Sequence, residues 1–147
     1  MLKSLNIKAV TQLDDFSALE NEWKALSQNS NSGNVFLTWE WISTWWECFS
    51  TGRQLFILTA RRINDGKLLG LAPLNVQRLI YKNIIHYREL SFMENQLAAP
   101  DHLDIISGAG SEEEKSFCEL HFREQVHVGC DKIGQCSIGI FVLTPHA

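Results

Sequence analysis

Acid–base character is concentrated in one short segment, where Asp101, His102 and Asp104 follow Pro100. A histidine titrates near neutral pH, and a neighbouring carboxylate can fix its tautomer, so these three side chains suit proton transfer. The competing interpretation is structural, because such side chains in a loop that enters a strand also cap and brace the turn. We take Asp101, His102 and Asp104 as the candidate catalytic residues. We predict no metal there, because a fourth ligand is missing.

A second set of potential metal ligands lies near the end of the chain and comprises His121, His127, Cys130 and Cys136. Thiolate and imidazole groups suit Zn²⁺, but this spacing matches no familiar zinc finger. None of the four cysteines of the chain stands in a Cys-x-x-Cys pair. The sequence therefore predicts reduced thiols and no metal site.

The nearest match to a phosphate-binding loop is Gly108-Ala109-Gly110-Ser111. A helix N-terminus that follows a glycine-containing loop can bind a phosphate through its backbone amides. Here Glu112, Glu113 and Glu114 follow at once, and carboxylates in the first turn repel a phosphate while they favour the helix dipole. We predict a loop and a capping box at this point, and no cofactor site.

Composition and charge exclude several classes of function. The chain has 147 residues, 45% of them hydrophobic, and a formal net charge of −4. Its 13 Lys and Arg residues are scattered, which argues against nucleic-acid binding. No apolar run approaches the roughly 18 residues of a membrane-spanning helix, and the first residues lack a secretory h-region. These features predict one folded, cytoplasmic domain.

The densest apolar pattern lies in residues 35–49, which hold four of the five tryptophans. Its large apolar side chains recur at spacings of three and four, which predicts a helix with one buried face. These side chains are Trp41, Ile42, Trp45, Trp46 and Phe49. Thr38 occupies the N-cap position, and Cys48 is predicted to be a small buried filler. The pattern favours the centre of a core, with the wall of a ligand pocket as the alternative.

The remaining elements can be placed by periodicity and turn chemistry. Alternation predicts a strand at 5–11, and a helical period then predicts a helix that Asp14 or Asp15 caps. Its apolar positions are Phe16, Leu19, Trp23 and Leu26. Strands are predicted at 54–62, 67–76 and 84–92, separated by turns at Asn64-Asp65-Gly66 and Tyr81-Lys82-Asn83. Pro73 indicates an edge or a bulge.

A short extended segment at 103–106 and a helix from Ser111 complete the order β-α-α-β-β-β-(β)-α-β, in which the last strand lies in the tail. This order predicts an α/β (α+β) domain with a central, mostly antiparallel sheet flanked by helices. Arg61, Arg62 and Arg78 are either a small positive patch for an acidic substrate or solvated strand ends.

Four segments, in order, carry a resemblance to a known family. They are Phe36-Leu37-Thr38-Trp39-Glu40-Trp41 with Trp45-Trp46, Gly52-Arg53-Gln54-Leu55, Gly66-Lys67-Leu68-Leu69-Gly70-Leu71-Ala72-Pro73-Leu74, and Ala99-Pro100-Asp101-His102-Leu103-Asp104. Together they resemble the amino-terminal half of the GNAT-like acyltransferases of the cellulose-biosynthesis CelD type.

The resemblance implies a GNAT-like fold and a bacterial cytoplasmic protein with two tandem halves. The second half would carry the acyl-CoA-dependent transfer of an acyl group to an amine or hydroxyl. Residues 1–118 correspond to the first half, so we expect a truncated form without a cofactor loop, inactive alone. The alternative is a non-catalytic module that binds a second GNAT-like half, or another copy of itself, through an exposed apolar face.

The tail, residues 119–147, matches this pattern poorly. Two interpretations stay open: a segment that is read in a shifted frame, and a genuine closing strand at 137–143.

Overall fold

The computed structural model describes residues 5–30, 34–93, 106–108, 116, 118 and 120. The elements are β1 (Leu5–Val10), α1 (Leu13–Ala18), α2 (Glu20–Asn29), a 3₁₀ turn (Val35–Leu37), α3 (Trp39–Phe49), β2 (Arg53–Arg62), β3 (Leu68–Tyr81), β4 (Ile85–Phe92) and β5 (Ile106–Ser107). Residues 116, 118 and 120 are helical. Of the predicted tail, residues 119–147, only Leu120 is described, and the predicted closing strand at 137–143 lies outside the described residues.

The strands form one sheet in the order β1-β2-β3-β4, and β5 pairs with β3 beyond the end of β4. Every described pairing is antiparallel. The predicted α/β domain with a mostly antiparallel sheet and flanking helices is therefore confirmed at this level.

Two hairpins join β2 to β3 and β3 to β4, at the predicted turns. Gly66 has a φ of 69°, and Lys82 and Asn83 have φ values of 50° and 59°. These left-handed conformations reverse the chain tightly and are favourable for glycine and tolerable for asparagine. In the first turn Asp65 Oδ1 accepts a hydrogen bond of 3.1 Å from the Lys67 amide. That bond is the main reason why the pKa of Asp65 is lowered, and the hydrogen bond from the Arg62 guanidinium lowers it further.

Pro73 was predicted to mark an edge or a bulge, and this was wrong. It lies within β3 and pairs with Ile57 of β2, whereas the register shift falls at Ala60/Arg61. The carbonyl of Pro73 accepts a hydrogen bond of 2.9 Å from the Met93 amide, just past the end of β4. Pro73 thus stands opposite Met93 and has no N–H with which to return this bond, so the β3–β4 ladder ends here.

One face of the sheet is covered by α1, α2 and α3, and its centre is aromatic. Phe16 stacks on Trp39 with ring centroids 4.6 Å apart, and Trp23 meets Trp39 edge-on at 5.6 Å. Ile42 and Trp45 of α3 are also buried. The prediction that the tryptophan helix occupies the centre of the core is confirmed.

The details of that helix differ from the prediction at its C-terminal end. Thr38 caps it as expected, and its Oγ1 accepts from the Trp41 amide at 3.4 Å. Phe49 is 45% exposed because it lies in the last turn. Cys48 was predicted to be buried but is exposed. Cys48 follows Ile42 by six residues, which at about 100° per residue places the two side chains about 120° apart around the helix, so Cys48 lies off the buried face.

The first helix of the prediction is divided in two at Leu19, which is both the C-cap of α1 and the N-cap of α2. Its predicted apolar positions are buried, namely Phe16, Leu19, Trp23 and Leu26. The predicted cap was wrong, because Gln12 precedes α1 without a side-chain cap. Asp14 and Asp15 instead lie in the first turn, where carboxylates favour the helix dipole.

The second face of the sheet is also apolar and is called here the outer face. Its buried members pack with Cys118 and are Leu58, Ala60, Leu69, Ala72, Leu74 and Leu90. Around them lie side chains that are only partly buried, namely Leu5, Ile7, Phe56, Val76 and Phe92.

Candidate functional site

The predicted catalytic residues Asp101, His102 and Asp104 lie outside the described residues, so their arrangement stays a prediction. The same holds for His121, His127, Cys130 and Cys136. Of the described residues, no three or more His, Cys, Asp or Glu side chains are grouped so that they could hold a metal ion.

Gly108, the first residue of the predicted loop, is packed against a helix. A Cβ atom at Gly108 would lie 2.5 Å from Cδ1 of Leu26 in α2, which is too close for contact. The Gly108 amide also donates to the Leu69 carbonyl at 3.0 Å. Gly108 therefore allows β5 to lie close to α2.

A large open pocket of ≈ 930 Å³ lies where β2 begins, beyond the end of β1. Its apolar lining consists of Leu13, Trp46, Leu55, Phe56, Leu58, Val76 and Leu90. Its polar lining consists of Thr11, Gln12, Ser50, Arg53, Gln54 and Arg88. This volume lies within the range of small-molecule sites, which are commonly apolar with a few polar groups.

Arg88 enters the pocket from β4. Its Nη2 donates a hydrogen bond of 2.7 Å to Oε1 of Gln54, across the outer face of β3. Its Nε is buried and has no hydrogen-bond partner. A buried N–H without an acceptor is costly, so the Arg88 side chain carries an unsatisfied donor that solvent does not reach.

Arg53 enters the same pocket from the first residue of β2 and is held by other residues. Its Nη1 donates to Oδ1 of the buried Asn75 at 3.0 Å. Its guanidinium lies 5.5 Å from the ring centroid of Trp45, which is within cation–π range. These contacts fix the position of the Arg53 charge.

The arginines singled out from the sequence divide into two groups. Arg61 makes a bidentate pair with Glu22 at 2.7 and 2.8 Å, and Arg62 contacts Asp65 at 2.9 Å. The hydrogen bond from Arg61 lowers the pKa of Glu22, and the pKa of Arg61 is raised in return. Arg61 and Arg62 are therefore matched by carboxylates and form no positive patch.

Arg78 has a different neighbour, because it stands directly opposite Arg88 in the β3–β4 ladder. Directly opposed residues of an antiparallel pair project from the same face, so two guanidinium groups share one region of the outer face. Neither arginine has a carboxylate within salt-bridge distance among the described residues. The positive region thus consists of Arg78 and Arg88 and not of Arg61, Arg62 and Arg78.

The described lining of this pocket offers hydrogen-bond donors and apolar surface. Its described lining has no carboxylate, histidine, cysteine or lysine, so it offers no general base. It combines guanidinium donors with an apolar floor and is suited to an anion that carries an apolar part.

Arg88 was missed because its importance depends on the ladder register. Arg53 and Gln54 stood out only as part of a segment that resembles the family, and no binding role was predicted for them. The alternation Arg88, Leu90, Phe92 on one side of a predicted strand was the available signal.

Comparisons of the chain with protein-family models, with curated proteins and with solved structures find no match. Among the helices of the described residues, none is long and apolar enough to cross a membrane.

Proposed function

We propose that this chain is a non-catalytic half of a GNAT-like acyltransferase of the CelD type, and that it holds a ligand without transforming it. The resemblance of the four sequence segments supports the family. The mixed α/β fold with a mostly antiparallel sheet and flanking helices is compatible with this proposal.

One observation carries the binding role, namely the pocket at the start of β2. Arg88 supplies charge and an oriented donor, while Phe56, Leu58 and Leu90 on the same face of the sheet supply apolar surface. Acyl transfer needs a group that moves a proton from the acceptor, and the described lining contains none.

The experiment is a turnover assay of the purified chain with acetyl-CoA and a panel of amines and alcohols, with release of free thiol as the readout. We expect no release above the rate without protein. Release in proportion to protein concentration, abolished by His102→Ala, would overturn the proposal and return catalysis to Asp101, His102 and Asp104.

A second candidate function is association through the tip of the β3–β4 hairpin. Ile80 is 57% exposed and Ile84 is 79% exposed, on either side of the turn. Exposed apolar side chains grouped at a hairpin tip favour contact with a second copy or a second half. Sedimentation equilibrium tests self-association: a dimer that Ile84→Ser dissociates supports it, and a monomer at every concentration contradicts it.

A further inference from the structure

The cross-strand pair of Arg78 and Arg88 is unfavourable on its own. Like charges directly opposite each other in an antiparallel ladder repel. The structure brings these two together without a carboxylate from the described residues. An anion bound between them would replace this repulsion with attraction.

Arg88 adds a second, independent observation. Its Nε is buried without an acceptor while its Nη2 is held by Gln54. The bond to Gln54 fixes the orientation of the Arg88 guanidinium, which lines the pocket. A carboxylate suits such a group, because its two oxygens match the parallel donors of an arginine.

The surface next to this charge is apolar. Val76 and Leu90 are paired across the ladder and lie two residues along their strands from Arg78 and Arg88. Phe56 and Leu58 continue this apolar surface on β2 and line the same pocket. An apolar chain that leaves the arginine pair can therefore lie along the outer face and remove apolar area from water.

We infer that the pocket binds a monocarboxylate with an unbranched apolar chain. Its head lies on Arg88, beside Arg78, which stands opposite Arg88 on β3 and outside the pocket lining, and its tail lies over Phe56, Leu58 and Leu90. This inference rests on the proposed function in taking the chain as a ligand-binding module, and it names the ligand class. An anionic membrane surface is disfavoured, because the chain carries a net charge of −4.

The test is calorimetric titration with decanoate below its micelle threshold, with acetate and decanol as probes of the head and the tail. We expect saturable 1:1 binding of decanoate, and binding at least tenfold weaker for acetate and for decanol. Arg88→Gln should weaken decanoate binding about tenfold or more, since a charge-assisted hydrogen bond is lost. Arg78→Gln should weaken it severalfold, and Phe56→Ser should also weaken it.

The matched control is Arg62→Gln, which removes the same charge at the other end of β2 and should change affinity less than twofold. Each variant is first checked for wild-type circular dichroism. The inference is overturned if folded wild-type protein gives no saturable heat, if Arg88→Gln binds like wild type, or if anionic phospholipid vesicles bind and decanoate does not. Thiol release from acetyl-CoA bears on the proposed function alone and leaves this result unaffected.

Discussion

Trp23 donates a hydrogen bond of 2.9 Å from its indole Nε1 to the carbonyl oxygen of Leu37. The bond links α2 to the 3₁₀ turn that precedes the tryptophan helix, and Trp23 itself is fully buried. It gives the buried indole N–H an acceptor. The tryptophan therefore combines apolar packing with a specific polar link between two helical segments.

Replacement of Trp23 by phenylalanine should destabilise the protein by about 2–4 kcal/mol, because it removes buried volume and leaves the Leu37 carbonyl without its donor. Urea unfolding followed by circular dichroism measures this. Trp41→Phe is the control, since Trp41 is only partly buried, and it should cost less than about 1 kcal/mol. Equal losses for the two variants would contradict the role given to the hydrogen bond.

Asn75 of β3 makes hydrogen bonds to β2 and β4 and is completely buried. Its Oδ1 accepts from Arg53, and its Nδ2 donates to the carbonyl oxygens of Ser91 and Phe92 at 3.1 and 3.4 Å. Asn75→Ala should cost about 2–3 kcal/mol, because these buried groups lose their partner. Asn6→Ala, at an exposed position of β1, should cost under about 0.5 kcal/mol in the same unfolding experiment.

The pair of Glu22 and Arg61 should contribute a small, pH-dependent stability. Arg61 lowers the pKa of Glu22 from its ordinary value of 4.5. The contribution of the Glu22–Arg61 pair to the free energy of unfolding is therefore present above pH 4.5. It is lost as the pH falls through the lowered pKa that Glu22 has in the folded state. Because the Glu22 side chain is 45% exposed, we expect only about 0.5 kcal/mol from Glu22→Gln at pH 7.

Unfolding at a series of pH values tests this dependence on protonation. The difference between wild type and Glu22→Gln should shrink toward acid pH, while Glu47→Gln, at an exposed position of α3, serves as the charge-matched control. If the stability difference between wild type and Glu22→Gln grew as the pH fell, the ionised Glu22 carboxylate would not be its source.

Gly108 and Leu26 should be energetically coupled. An alanine at 108 would force Cδ1 of Leu26 to move, so Gly108→Ala should cost about 1–3 kcal/mol. In a Leu26→Ala background the same change should cost clearly less, because the obstructing methyl group is gone. A double-mutant cycle measures this, and additive losses would show that the two residues do not compete for space.

Local patterns predicted most of the helical and hairpin structure. The periodicity of Phe16, Leu19, Trp23 and Leu26 identified a buried face, and Asn64-Asp65-Gly66 identified a turn, because both depend on neighbouring residues. The prediction that Cys48 is buried was wrong because neighbouring positions around a helix can lie on the buried face and in solvent. The prediction for Pro73 was wrong because β3 has strands on both sides, with β2 opposite Pro73 and β4 paired from Leu74 onward, and no local pattern contains that pairing.

The site depends on register to a greater degree than the fold does. Arg78 faces Arg88 only because the turn places Tyr81 opposite Ile85. A register shift of one residue would send the two arginines to opposite faces of the sheet. The sequence therefore identified Arg78 as a possible positive group but paired it with Arg61 and Arg62, which the folded chain matches with carboxylates.

The most direct measurement of the central claim, that the pocket binds an anionic ligand, is the ¹H–¹⁵N spectrum of the arginine Nε–H groups during a decanoate titration. Assignment follows from the signal that disappears in Arg88→Gln. The account predicts a saturable downfield shift of the Arg88 resonance, a smaller shift for Arg78 and none for Arg62. An Arg88 resonance that does not move, or equal movement of all arginine signals, would contradict it.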